Sequence, residues 1–531
     1  FKEKVVVPPN EMGERIGGAD LYADNTAKFK ETTANGKTII VDVGQDIQSA
    51  IDDVHSYGSG SVVLKQGTHS LTSDLTLYSN IYLQGENAGS SIISFGNTAK
   101  QIKIVGSGAY SAGTITITNG AVTVTGLNTL WLANATAGQN IMIKGIWYPI
   151  ATVVSDTEIT LSIPYADIDV SGATYVLATT ITDVKLTDLT ISASGTAAIK
   201  VQYGSEVFLR DINVQASVSA LDCDNSSQLS FHECDLVANY SGMDLNDCHY
   251  MIFDANGIID SLTGNGLTMT NCSNSALNDF FIMNSAGDGL SLTSCDNLKI
   301  TGTFAENAGQ GIEFVSGNTD IFISQFSIEK NGSDGIKLTA TTDNCGLVNG
   351  ILRNNGGYGV NIASADCDDN IISACVFTGN TSGALNNLGV GTNICGNNGL
   401  SALEIKEHLR LKNTSGGSLV AGDLIVLKAV AAGDEATTTT TQGDDLVFAM
   451  AVETITNNSY GRFQTLGKTT VLKVDGTTDI AIGDFIGTFT TVKIGMKAAA
   501  GDMAIAIALE AYATNDSNGV IDALLVKPRK I

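Results

Sequence analysis

The chain has 531 residues and a formal net charge of −26, from 29 Lys and Arg against 55 Asp and Glu. Apolar residues make up 43%, with 57 glycines and only five prolines; this balance excludes a disordered tail, a collagen and a coiled coil, and the length allows about two to four domains. Nucleic acid is excluded as a partner for want of a basic footprint, and no apolar run approaches the roughly 18 residues of a membrane helix, so no membrane insertion is expected.

In chain order, residues 1–38 are polar and weakly periodic, with Pro8-Pro9 near the start, and predict an arm. The opening Phe1-Lys2-Glu3 has neither an initiator Met nor a signal-peptide core, as expected of a processed or trimmed start. In residues 39–101, Ile47, Ala50, Ile51 and Val54 share one helical stripe. The alternation then turns to period two, in Ser61-Val62-Val63-Leu64 and Asn80-Ile81-Tyr82-Leu83. Such a helix would cover the open end of a strand stack, whose backbone groups are otherwise unpaired. Residues 102–180 carry short alternating strands with Gly and Asn turns and predict a β-rich segment that interrupts the coil. Both tryptophans, Trp131 and Trp147, fall here. They offer a glycan-binding platform if exposed, or barrel core and packing surface if buried, the commoner fate of so large a side chain.

Residues 181–397 repeat. A small residue followed by an apolar–any–apolar strand recurs at Ala198, Ala220, Gly242, Gly266, Gly289, Gly311, Gly335, Gly359 and Gly383, with gaps of 22 to 24 residues. That period without helical spacing signals a β-solenoid. The Asn, Gly, Ser and Asp between strands supply tight bends and left-handed backbone. Residues 165–527 hold no proline, as continuous strand pairing requires. All nine cysteines lie between Cys223 and Cys395, an odd number without paired CxxC spacing, which argues against disulfides and zinc. Cys248, Cys272 and Cys295 share one offset and predict a column of buried thiols. His232, Glu233, Cys234, Asp247 and His249 could be drawn into a metal site, but their spacing is unspecific and predicts a solvated turn. Residues 398–412 predict a linker with a short helix over 401–411, and 413–531 a β-domain.

The entry segment, with Asp42, Ile47, Ala50, Ile51, Gly58, Gly60, Val62, Leu64 and Gly67, together with the coils, resembles the pectate-lyase-like superfamily, including phage tailspikes. It departs from that pattern at Lys65-Gln66 and His69. The resemblance implies an all-β chain built on a right-handed parallel β-helix. The insertion resembles small barrels of phage tail and fibre proteins. In the last domain, Ala421-Gly422-Asp423, Gly461-Arg462, Ala508–Ala511 and Gly519–Asp522 resemble C-terminal domains of phage head-decoration and head-fibre proteins. That likeness implies a homotrimer. The arm is expected either to be a disordered tag-like tail or to dock on another virion protein, capsid or tail, and to order on binding. The Thr437–Thr441 run reads as an exposed loop or edge strand.

Two positions after each small residue, stacking predicts an outward column of Lys200, Asp222, Asp244, Thr268, Ser291, Glu313, Lys337 and Asn361. Asp222 and Asp244 would sit one rung apart, at about 4.8 Å before side-chain splay, with Asp224 on the same face. Close carboxylates raise a partner's pKa or recruit a cation. Asp222, Asp244 and Asp224 are therefore the catalytic candidates for glycoside cleavage, and calcium is the one cofactor they suggest. The competing reading is a solvated acidic face eased by Lys200, as Glu313 beside Lys337 suggests an ion pair; Glu313, Trp131 and Trp147 are the glycan-binding candidates. The expected function is a virion surface protein, a spike, fibre or head decoration that engages host surface polysaccharide. The enzymatic alternative is a depolymerase. A cellular adhesin is disfavoured, since no export or anchoring signal is read in the chain.

Overall fold

The computed structural model describes residues 36–531 apart from 196, 217, 239, 256, 260–262, 396, 398–406, 429–434 and 518. Most of the expected arm therefore lies outside the described residues. The first strand, Lys37–Val41, begins at its end and leads into the helix Ile47–Ser56. The Asp46 carboxylate caps this helix by accepting the Ser49 backbone N–H at 3.1 Å. Ile47, Ala50, Ile51 and Val54, the predicted stripe, are the residues it buries. Val54 closes on the first coil at Gly60, where an added Cβ would meet the Lys37 carbonyl oxygen at 2.0 Å and Val54 Cγ1 at 2.8 Å.

The coil is a parallel β-solenoid, a single 31-stranded sheet running from Lys37–Val41 to Asn393–Cys395. Period-two alternation and in-register stacking put like residues on like. Leu83, Leu186, Leu209, Phe231, Phe253, Leu277, Ile300, Ile323, Leu347 and Ile372 form one inward column, all of them buried. Within it Phe231 and Phe253 stack with ring centroids 4.6 Å apart. One corner repeats a left-handed residue on successive rungs: Asp183, Glu206, Gln228, Tyr250, Asn274, Asn297, Asp320, Asn344 and Asp369. Asn and Asp dominate because they tolerate that conformation best among residues with a Cβ.

At a second corner the recurrent Asn becomes a ladder. Asn307, Asn331 and Asn355 each donate from the side-chain amide to the Oδ1 of the next member, ending on Asn380, at 2.9, 3.0 and 2.9 Å. Asn331 Nδ2 also donates to the Phe304 carbonyl at 3.1 Å, so these buried amides are satisfied. The cysteines whose side chains are described are buried free thiols. Cys248, Cys272 and Cys295 stand in the predicted column, each donating to backbone carbonyls.

The insertion starts later than its sequence suggests. Ile102–Val105 pairs with Leu75–Thr76 and Ile199–Gln202 and belongs to the coil. The detour comprises eight antiparallel strands between Ser107 and Thr179 around a core of its own. Among the described residues its end strands, Ser107–Tyr110 and Val170–Ala173, are not paired with each other, so the curled sheet is left open. It packs on the coil through Gly145, where an added Cβ would meet the His249 ring at 2.4 Å.

The helix expected over 401–411 is corrected for its described part. Glu407–Asn413 is a strand, antiparallel to Tyr460–Val474, with His408 opposite Gln464 and Leu411 opposite Gly461; residues 401–406 lie outside the described residues. Glu, Lys and Leu favour helix locally, but pairing with a distant strand decides here. The C-terminal β-domain is a nine-stranded sheet. Its Ala421-Gly422-Asp423 element has a structural cause: buried Asp423 takes Lys473 at 2.6 Å and Lys493 at 3.5 Å.

Candidate functional site: a polar ladder along the coil

The predicted outward column exists rung by rung. Lys103, Lys200, Asp222, Asp244, Thr268, Ser291, Glu313, Lys337, Asn361 and Asn386 are successive register partners. A second column runs beside it, through Gln202, Asp224, Asn246, Thr270 and Thr293. Strand alternation points both columns away from the core, so the face is a strip of hydroxyl, amide and charged groups at one-strand spacing.

At its N-terminal end Asp222 and Asp244 are direct register partners, but their carboxylates have different company. Lys200 Nζ donates to Asp222 at 2.7 Å and to Asp224 at 2.6 Å. Burial opposes the Lys200 charge, yet the two carboxylates outweigh it and hold its pKa above the ordinary value. The cation that two close carboxylates attract is thus supplied by a side chain. Asp244 instead accepts from Ser241 Oγ at 2.9 Å and Ser219 Oγ at 3.1 Å. Burial pushes its pKa up; the two serines oppose that, and Asp222 and Asp224 add to it.

Further along lies a carboxyl pair that the sequence reading missed. Asp288 precedes one of the small residues and lies beside Glu313, which helps raise its pKa. Burial raises its pKa first; the Gln310 backbone N–H, donating at 2.7 Å, and Lys337 pull it down while Glu313 pushes it up, with a net value of about 6. Glu313 accepts from Lys337 Nζ and Thr339 Oγ1, both at 3.2 Å. An acid whose pKa is raised to about 6 beside a second carboxyl is an arrangement that general acid–base chemistry uses. A signal existed in the triplets Gly287-Asp288-Gly289 and Ser333-Asp334-Gly335: Asp334 Oδ1 likewise accepts the next rung's backbone N–H, from Tyr358, at 2.6 Å.

The tryptophans are not a platform pair. Trp131 is corrected: it is fully buried, donates Nε1–H to the Tyr175 hydroxyl at 3.0 Å and meets that ring edge-on, so no sugar reaches it. Trp147 is half-buried, opposite Met142 on the neighbouring strand. The five residues drawn on paper as a metal site are scattered. His232 pairs with Asp254 at 3.1 Å, and Glu233 lies beside Asp211, whose pKa burial and this neighbour raise. His249 bonds Ser273 Oγ at 2.8 Å, and burial against the insertion lowers its pKa to about 4. Burial pushes the Cys234 thiol up to about 12.

A family model described as periplasmic copper-binding protein (NosD) matches residues 151–325, about a third of the chain. The donors present do not fit copper. Among the described residues no three His, Cys, Asp or Glu side chains gather to hold a metal, and burial holds the Cys248 and Cys272 thiols well above their ordinary pKa. No curated protein matches. Among solved structures, the chain is similar to the Azotobacter vinelandii mannuronan C-5 epimerase AlgE6 A-module, with 14% identity over 67% of this chain and 94% of that one and a TM-score of 0.39. It is also similar to the Pseudomonas phage phi297 tailspike gp61, with 11% identity over 90% and 88% and a TM-score of 0.36. A third is Geobacillus virus E2 ORF18, with 12% identity over 86% of each chain and a TM-score of 0.40.

Proposed function

We propose that this chain is a bacteriophage-type virion surface protein whose coil binds host surface polysaccharide along the polar ladder. The carrying observation is the ladder's unbroken register from Lys103 to Asn386. It presents hydrogen-bonding side chains at a constant spacing of about 4.8 Å, a linear, repetitive surface suited to a linear, repetitive polymer. Glu313 lies in its C-terminal half, and Trp147 is the tryptophan left to contact sugar. On this reading residues 413–531 drive trimerisation, and residues 1–38 attach the spike, fibre or decoration to capsid or tail. Removing residues 401–531 should then give monomers by light scattering; a persistent trimer would refute that role. Binding is tested by incubating host surface polysaccharide with immobilised protein. Retention by the intact chain and loss on placing arginine at the partly exposed Thr268 is the expected result.

A second reading, polysaccharide depolymerase, is favoured by one observation, the Asp288–Glu313 pair. Asp288, protonated in part of the population at neutral pH, would give its proton to the leaving glycosidic oxygen, and Glu313 would act as base or nucleophile. The competing site is Asp222, Asp224 and Asp244, where Lys200 already engages two of the three carboxylates. Polymer size after incubation separates the readings. Shortening lost in Asp288→Asn and kept in Asp222→Asn/Asp244→Asn places the chemistry at the new pair; the reverse places it at the N-terminal cluster. An unchanged polymer that is still bound supports the non-enzymatic reading.

A further inference from the structure

The ladder does not end on open solvent. Where the last rungs meet the C-terminal domain, Tyr358, Ser382 and Asn386 on the coil face Arg462, Lys468 and Thr470 across a cleft of about 430 Å³. That volume falls in the range of small-ligand sites. Asn386 joins the two surfaces, since its Nδ2 donates to Asn361 Oδ1, the preceding ladder member, at 2.9 Å.

The lining departs from the rest of the molecule in charge. Acidic residues outnumber Lys and Arg by 55 to 29 in the chain, yet among the described residues lining the cleft there is no Asp or Glu. The two cations have different jobs. Arg462 is a brace: Nη1 donates to the Leu388 carbonyl at 3.0 Å, tying the domain to the coil, while Nε and Nη2 reach Glu453, outside the lining, at 3.4 and 3.2 Å. Lys468 has one ionic partner, Asp522 at 3.0 Å, also outside the lining, and its side chain is 39% exposed.

We infer that this cleft is a second saccharide site, specific for a carboxylate-bearing sugar residue. Lys468 faces the carboxylate. Ser382, Asn386 and Thr470 serve the sugar hydroxyls as donors and acceptors, and Tyr358 offers an aromatic edge or face to the ring. The inference rests on the polysaccharide reading for the class of polymer and is independent of which ladder residues bind it. A chain lying along the ladder would enter the cleft at Asn386, so an acidic residue anchored there would set the polymer's register.

The test is calorimetric titration of the full-length protein with a uronic-acid oligosaccharide, a neutral oligosaccharide of equal length and inorganic phosphate. The acidic oligosaccharide should bind about tenfold more tightly than the neutral one, and raising the salt concentration should weaken it by screening. Lys468→Gln should lose about that tenfold, and Thr470→Glu, which adds a carboxylate to the cleft, should lose at least as much. If Lys468→Gln fails to fold, judged by its melting profile, Thr470→Glu carries the test. Equal binding of the neutral sugar, or unchanged affinity in both cleft variants, overturns the inference. So does phosphate binding as tight as that of the acidic sugar, which would make the cleft a bare anion site. Binding lost in Asp222→Asn/Asp244→Asn but kept in both cleft variants overturns the cleft while leaving the polysaccharide reading intact.

Discussion

The two ends of the polar ladder share one backbone, one register and one kind of side chain, yet they are set up for different behaviour. At the N-terminal end a single ammonium lies between two carboxylates, at 2.7 and 2.6 Å, and their charge is met where it stands. Toward the C-terminal end Asp288 has no ion-pair partner among the described residues. Lys337 is 3.2 Å from Glu313, and Asp288 is left against a neighbour of like charge. A stacked solenoid places carboxylates side by side almost automatically; whether a pair is inert or poised depends on where the nearest lysine falls in the repeat.

The comparison breaks most visibly if Lys200 is removed. Lys200→Met should leave Asp222 and Asp224 on a partly buried face without their shared cation, a loss of about 2 kcal/mol, below the figure for a fully buried pair because all three side chains keep some exposure. The Lys200 pKa is raised on folding, so its contribution is complete below the ordinary lysine value and disappears only as the pH rises through the folded one. The gap between urea midpoints of the two proteins should accordingly be the same at pH 7 and pH 9 and narrow above about 10.4, the lysine reference value. A gap already closed at pH 7 would mean the cluster is a screened surface feature.

At the other end the sign reverses. The Asp288 pKa rises from 3.8 to about 6 on folding, so the folded state prefers the protonated form. That preference stabilises fully below 3.8 and is lost as the pH rises through about 6. Asp288→Asn, which cannot ionise, should match the parent at pH 3.5 and exceed it at pH 7.5 by about 1–2 kcal/mol, the full two-unit figure discounted for partial exposure. A variant less stable than the parent at pH 7.5 would show that the carboxylate is needed to cap the Gln310 N–H and that the pair is structural.

The uneven legibility of these two ends has a physical cause. Asp222 and Asp244 sit two residues after their small residues, inside strands, where period-two alternation fixes the face and the repeat fixes the partner. Asp288 sits at a corner, in a column whose other members are Asn265, Gln310, Asp334 and Tyr358, so the one residue-type mark is the Asp-Gly step it shares with Asp334-Gly335. Three of its members reach the next rung's backbone with a side-chain oxygen: Asn265 Oδ1 takes the Asp288 N–H at 2.8 Å, Asp288 Oδ1 the Gln310 N–H at 2.7 Å and Asp334 Oδ1 the Tyr358 N–H at 2.6 Å, and such a reach is visible only in three dimensions. The coil, the capping helix and the cysteine column were legible because their signals are local and repeated. The strand Glu407–Asn413 was not, because its partner lies about fifty residues on and its composition favours helix. Trp131 was half legible: its size argued for burial, but only the Tyr175 hydroxyl shows how its N–H is satisfied.

The smallest effect is the most discriminating. Lys337→Gln removes a partly exposed cross-rung ion pair, which should cost under about 1 kcal/mol and barely move the melting profile. Its electrostatic consequence is larger than its stability cost, because Lys337 is a cation that holds the Asp288 pKa down against burial and Glu313. With it gone, the carbon-detected NMR titration of the Asp288 carboxyl should move upward from about 6, while Glu313→Gln, which removes the repelling neighbour, should move it downward. Opposite displacements in the two variants would show that charge arrangement, and not burial alone, sets the Asp288 pKa. Displacements in the same direction, or none, would reduce Asp288 to a buried acid like Asp244 and erase the difference between the two ends of the ladder.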